Sequence, residues 1–132
     1  MADTVSILST NTHSSGVQTL QSQKVKGDAY FGQNDGLHTV MIQLSNFVGT
    51  IKIQSSLEET PGDNDWFDAE LGTDDFSVDT TGLIKKTAMS SIIYPVPETS
   101  LRAYNTRGNY VWLRADISQW TAGTINRIEL NR

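Results

Sequence analysis

The chain reads as an all-β protein: a two-sheet antiparallel β-sandwich, jelly-roll-like, with a polar N-terminal arm. Three observations predict this. Apolar residues recur with period two, most clearly over residues 108–118. There Val111, Leu113, Ala115 and Ile117 fall on one face, and Tyr110, Trp112, Arg114 and Asp116 on the other. Ser, Thr, Asn, Asp and Gly are abundant beside a hydrophobic fraction of 37%, the balance that many short strands joined by polar turns produce. No segment sustains a 3.6-residue apolar period over three turns. At 132 residues the chain is long enough for a single cored domain. Residues 1–24 are assigned to the arm and 25–132 to a sandwich domain of about eight strands in all.

The arm carries only Val5, Ile7, Leu8, Val17 and Leu20 as apolar positions. Ordering such a segment costs roughly 1–2 kcal/mol per residue in backbone entropy, which something must offset. Either it pairs on its own sheet or a neighbouring subunit holds it; the second is the expectation. Gly27-Asp28-Ala29-Tyr30-Phe31 follows as a short strand, closed by the turn signal Gln33-Asn34-Asp35-Gly36. Residues 39–45 place Val40, Ile42 and Leu44 on one face. Asn46-Phe47-Val48-Gly49 reads as a tight connection, and residues 50–57 return with Ile51, Ile53 and Leu57 on one face, completing a hairpin.

Residues 58–65 form a polar loop around Pro61-Gly62, and residues 66–71 continue as a strand, with Phe67, Ala69 and Leu71 opposite Trp66, Asp68 and Glu70. Phe76-Ser77-Val78 is a weaker strand. Residues 83–96 are mixed, with a β-branched patch at Ile92-Ile93 and room for one helical turn at 90–94. Pro95 and Pro97 cannot donate to a ladder, so they mark a sheet edge or an exit into a loop. Residues 101–104 make a short strand before the turn at 105–109. The chain ends with a strand, a turn at Thr121-Ala122-Gly123 and a returning strand over 124–131.

Charge and composition exclude several function classes. Net charge is −5 with a pI near 4.8, and the largest basic run is Lys85-Lys86, so the cationic footprint that phosphate neutralisation needs is missing. No nucleic-acid partner is expected. Cysteine is absent, which removes disulfides and thiolate metal sites. No stretch approaches the roughly 18–20 apolar residues of a membrane helix. The N-terminus lacks the cationic start and apolar core of a signal peptide, so the chain is expected to be made in a cytoplasm.

Nucleophilic catalysis needs an activated Ser, Thr or Cys beside a base. His13 lies in the polar arm and His38 beside a turn, positions where imidazoles are more often structural. Asp63, Asp65 and Asp68 offer hard oxygen ligands that calcium takes, though the run lacks the regular acidic spacing of a dedicated loop, and Asp beside Pro61-Gly62 is also a turn former. No cofactor is expected beyond a weak calcium candidate. The aromatics carry more. Tyr110, Trp112, Arg114 and Trp120 are the expected partner interface, since Trp, Tyr and Arg are enriched where proteins meet. Trp66 and Tyr104 are weaker ligand candidates that could stack on a sugar ring.

The order of these features resembles a small β-sandwich found among virion structural proteins of tailed bacteriophages. The resemblance rests on Gly49-Thr50-Ile51-Lys52-Ile53-Gln54-Ser55-Ser56-Leu57, on Asp65-Trp66-Phe67-Asp68, on Gly108-Asn109-Tyr110-Val111-Trp112-Leu113-Arg114-Ala115, and on Thr121-Ala122-Gly123-Thr124-Ile125. It implies a non-enzymatic capsid decoration (cement) protein or a neck, tail or fibre accessory, made in the host bacterial cytoplasm and ending in the virion. Its partners would be itself, as a homo-oligomer, and other virion proteins, and no catalytic residue is carried over. A carbohydrate-binding β-sandwich module, on a receptor-binding fibre for instance, is the alternative expectation, with glycan as ligand.

Overall fold

Two strands of twenty residues each, paired with one another along most of their length, organise the chain. The computed structural model describes residues 4–33, 35–78, 80–82 and 84–132, without the side chains of 73–78 and 84–88. Asn34 of the expected turn and Leu83 at the start of the mixed region lie outside the described residues. The long strands are β5 (Leu37–Ser56) and β10 (Trp112–Asn131). Before β5 come four short strands, β1 (Thr4–Leu8), β2 (Asn11–Thr12), β3 (Gln18–Gln21) and β4 (Val25–Lys26), then a 3₁₀ turn at Asp28–Phe31. Between the long strands lie β6 (Phe67–Asp68), β7 (Leu71–Val78), β8 (Ile84–Met89) and β9 (Ile92–Arg107).

All of the pairings are antiparallel, and the strands form one continuous sheet in the order β1-β10-β5-β9-β7-β8. β5 buries His38, Val40, Ile42 and Leu44, then Phe47, Ile51 and Ile53, while β10 buries Leu113, Ala115 and Ile117, then Trp120, Ile125, Ile128 and Leu130. A sheet can dry one face without a helical layer over it only by curling that face onto itself, and this sheet does so. The core is thus all-β, as expected.

Both expected hairpins are absent, and the reason is the same in each. Asn46-Phe47-Val48-Gly49 does not reverse the chain: Asn46 alone of the non-glycines there takes a positive φ (52°), and β5 continues past it with its buried parity shifted by one. Thr121-Ala122-Gly123 likewise sits inside β10, between Gln119 (φ 51°) and Gly123 (φ 87°). The two irregular segments face each other, with Ser118 opposite Thr50, Ala122 opposite Val48 and Thr124 opposite Ser45. An extra residue in one strand of a pair makes a bulge and a bend rather than a turn. Matched bulges let both strands bend together and keep one face inward.

The arm also departs from expectation. β1, β2, β3 and β4 pair in succession with β10, from Thr4 opposite Asn131 to Lys26 opposite Trp112, so residues 4–26 lie along their own chain's sheet rather than waiting for a neighbour. Ile7 is fully buried, and Val5, Leu8, Leu20 and Val25 pack on the core. Strands on both sides of the 24/25 boundary, β3 and β4, pair with β10. The expected strand at 27–31 is the 3₁₀ turn, where Ala29 N–H donates to Tyr110 O and left-handed Gly32 ends the element. Only Phe67-Asp68 of the 66–71 segment pairs with β5, and of the residues expected on one face Ala69 and Leu71 are buried while Phe67 is exposed. Residues 92–94 are strand, not a helical turn. β9 does carry Pro95 and Pro97 along an edge: on its side away from β5, the only pair among the described residues is Asn105 with Gly72.

Candidate functional site

The parity of β10 decides what reaches its outer surface. With Leu113, Ala115 and Ile117 inward, Trp112 and Arg114 project outward and are half-buried. Arg114 lays its guanidinium 4.1 Å from the ring centroid of Trp66 and donates from Nε to Gln54 Oε1 at 2.9 Å. Gln54 is directly opposite Arg114 on β5, so the pairing sets this contact. Trp112 donates from Nε1 to Glu59 O at 2.9 Å, which ties the 58–65 loop to the sheet.

The Trp112 ring meets Tyr30 edge-on at 5.1 Å, and Tyr30 meets Phe31 at 5.5 Å. Cations cover these rings in turn. Lys24 Nζ lies 4.5 Å over Trp112, Lys26 Nζ 4.4 Å over Tyr30, and the Arg132 guanidinium 5.0 Å over Phe31. Arg132 also donates to Lys26 O, which ties the end of the chain to β4. Four of the chain's ten Lys and Arg thus gather on one aromatic strip of an acidic protein. Beside it is an open hollow of about 400 Å³ lined by Ala29, Tyr30, Leu57, Glu59 and Val111, with Leu57 largely exposed.

Such a surface offers rigid rings, fixed cations and an apolar lip. Each cation–π contact contributes about 0.5–1 kcal/mol when exposed and more once water is excluded, so these contacts gain strength when a partner covers them. Arg114 covers one face of Trp66 and Lys24 one face of Trp112.

The remaining expected residues lie elsewhere. Tyr110 is core: it is 6% exposed, its hydroxyl donates to Arg107 O and is 3.0 Å from Thr106 Oγ1, and its ring packs on His38 and Phe67. The alternation breaks there because the strand begins at Trp112, which leaves Val111 at the hollow and Tyr110 inside. Trp120 is 2% exposed, packed on Phe47 and donating from Nε1 to Ala122 O. The bulge at Gln119 turns it inward, so the expected partner face keeps only Trp112 and Arg114. Tyr104 is buried with its hydroxyl 3.3 Å from that of Tyr94 and presents no platform.

Asp65 accepts from Gly62 N–H at 2.7 Å as a turn former, and Asp68 pairs with Lys52 at 3.4 Å. Together with exposed Asp63 they form no metal-ligating group among the described residues. His13 caps its own loop through Gly16 O. His38 is wholly buried: its Nδ1–H donates to Gly36 O, its Nε2 accepts from Asp28 N–H, and burial pushes its pKa below the usual 6.5.

Tyr30, Phe31, Lys24, Lys26 and Arg132 escaped the sequence reading as surface residues, and Leu57, expected on the face of Ile51 and Ile53, is instead largely exposed. Alternating Lys24 and Lys26 just ahead of Tyr30-Phe31 is a local signal for part of this surface. Arg132 has none, because only the tertiary fold brings it to Lys26 and Phe31. No protein-family model, curated protein or solved structure matches this chain.

Proposed function

We propose that the chain is a non-enzymatic structural subunit that works by protein contact, and that its setting is the virion of a tailed bacteriophage, as a capsid decoration protein or a neck, tail or fibre accessory. The observation that carries the contact reading is the cation-covered strip of Trp66, Arg114, Trp112, Tyr30 and Phe31 beside the Leu57 hollow. Aromatic and Arg side chains held rigid on strands are what interface anchors consist of. The virion setting rests on the sequence resemblance. In this reading the matched bends of β5 and β10 divide the curled sheet into the two facing layers of a jelly-roll-like sandwich, and the strip lies on its outside. The partner surface is acidic, and the subunit is made in the host cytoplasm before it joins the particle.

The test is co-sedimentation of the tagged protein with phage particles from which its gene has been deleted. Binding by the wild type that is lost in the Trp112→Ala/Arg114→Glu double variant supports the proposal. A wild-type protein that stays at the top of the gradient overturns it. If instead it binds glycans on an array and loses them on Trp66→Ala or Trp112→Ala, the carbohydrate-binding module replaces it.

A further inference from the structure

β9 leaves an edge that the cation–aromatic strip does not use. One side pairs with β5 from Ile92 to Arg107, whereas on the other no described strand pairs before Asn105. Unpaired edges recruit further strands unless something blunts them. Pro95 and Pro97 blunt the first part, since neither offers an N–H. That leaves residues 98–104 open, bounded by the prolines at one end and by β7 at the other. Ile93, Val96 and Leu101 are each more than half exposed on or beside this stretch. Ser100, in its middle, has a buried hydroxyl with no hydrogen-bond partner among the described residues.

We infer that this edge pairs with the same edge of a second copy, antiparallel, about a two-fold axis at Ser100. The charges select that register. Glu98 and Arg102 flank Ser100 at equal distance, so a two-fold there sets Glu98 opposite the second copy's Arg102 and Arg102 opposite its Glu98. No other two-fold register of the edge does this. Within one chain the pair already meets at 3.6 Å, with the Arg102 side chain 60% exposed, so the same groups can bridge across without new charge burial. Leu101 becomes the diagonal neighbour of the second copy's Leu101, within apolar reach. The two Ser100 hydroxyls face each other, and the orphan gains a partner. The inference deepens the assembly reading by naming the self-contact, and it uses a different surface from the strip.

The full chain lacks cysteine, so one engineered thiol reports the register. Residues opposite each other across an antiparallel pair have Cα atoms about 4.5–5.5 Å apart, inside the disulfide window. Ser100→Cys, mildly oxidised at micromolar concentration, should give a covalent dimer about tenfold faster than Ser14→Cys, whose exposed thiol reports random collision. By light scattering, Glu98→Arg should raise the dimer Kd about tenfold, and Glu98→Arg/Arg102→Glu should restore it. Trp112→Ala should leave the dimer unchanged. A wild type that is monomeric up to about 100 times micromolar overturns the inference, given the affinity scale of stable pairs. An oligomer that ignores Glu98→Arg and forms no Ser100→Cys cross-link also overturns this edge pairing while leaving the strip's particle contact standing. Loss of particle binding with the dimer intact would have the opposite meaning.

Discussion

His38 sits wholly out of solvent with both ring nitrogens engaged, which defines it as the neutral tautomer with its proton on Nδ1. A second proton on Nε2 would meet Asp28 N–H head-on in a dry site, and burial lowers the pKa more than the nearby Asp28 and Asp35 raise it. The sign of the pH effect follows. Between the folded value and 6.5 the unfolded chain holds the proton and the folded chain does not, so stability is complete above 6.5 and falls as pH drops below it. Thermal melts between pH 7.5 and 5 should show that slope in the wild type and a shallower one in His38→Phe. The variant should also be less stable at pH 7.5 by about 1–3 kcal/mol, because Asp28 N–H loses its acceptor while Gly36 O keeps only Gly108 N–H. Equal slopes in the two proteins would remove His38 as the source. A His beside a turn is expected to be solvated or hydrogen-bonded structurally, and His38 is the second of these. Nothing local announced its burial, because the ring is enclosed by Tyr110 from the far end of the chain.

Strand identity and buried parity were legible, and turns were not. Val40, Ile42, Leu44, Ile51 and Ile53 are buried as the alternation requires, and so are Leu113, Ala115 and Ile117. Asn46 and Gly123, expected in chain-reversing turns, instead take a positive φ inside continuous strands. Whether such a residue reverses a strand or only bulges it depends on what lies opposite, and here each irregularity lies against the other. That information is about seventy to eighty residues away in sequence. Gly123 is where the bends touch: a Cβ there would overlap the Asn46 carbonyl and the Phe47 backbone, at a φ of 87° that side chains resist. Gly123→Ala should therefore cost about 2–4 kcal/mol in urea unfolding, from overpacking plus left-handed strain. A change under about 0.5 kcal/mol, typical of surface substitutions, would show that the bends do not meet there. The arm makes the same point through its pairing. Deleting residues 1–24 strips β10 of most of its edge partner and removes Ile7, whose burial alone contributes about 1.5–3 kcal/mol. The truncated chain should lose its cooperative thermal transition and aggregate. A soluble, cooperatively melting truncation would return the arm to the role of a detachable appendage.

Over the whole molecule, charge is uneven in a way composition hides. A chain of net charge −5 keeps four of its cations on one strip, because the antiparallel pairing of β4 and β10 brings Lys24, Lys26 and Arg114 onto one surface and the end of the chain adds Arg132. The outward placement of Trp112 and Arg114 is legible from period two alone; the burial of Tyr110 and Trp120 is not, since strand onset and a bulge reset their parity. A cationic strip on an acidic body orients the molecule in the field of an acidic partner, and this governs association rate more than dissociation rate. Neutralising Lys24 and Lys26 as Gln should therefore slow association with immobilised particles by about tenfold at low salt while changing dissociation little. The wild-type rate should fall toward that of the variant as ionic strength rises from about 0.05 to 0.3 M, where the screening length shrinks below the width of the strip. Arg114→Ala should act differently. It uncovers Trp66 and removes the donor to Gln54 Oε1 while Gln54 keeps its bond to Asp68, so its main effect should be faster dissociation, with fold stability reduced by no more than about 1 kcal/mol. Surface plasmon resonance separates the two rates. An association rate indifferent to both the Lys substitutions and salt would mean that the partner approaches another face of the sheet.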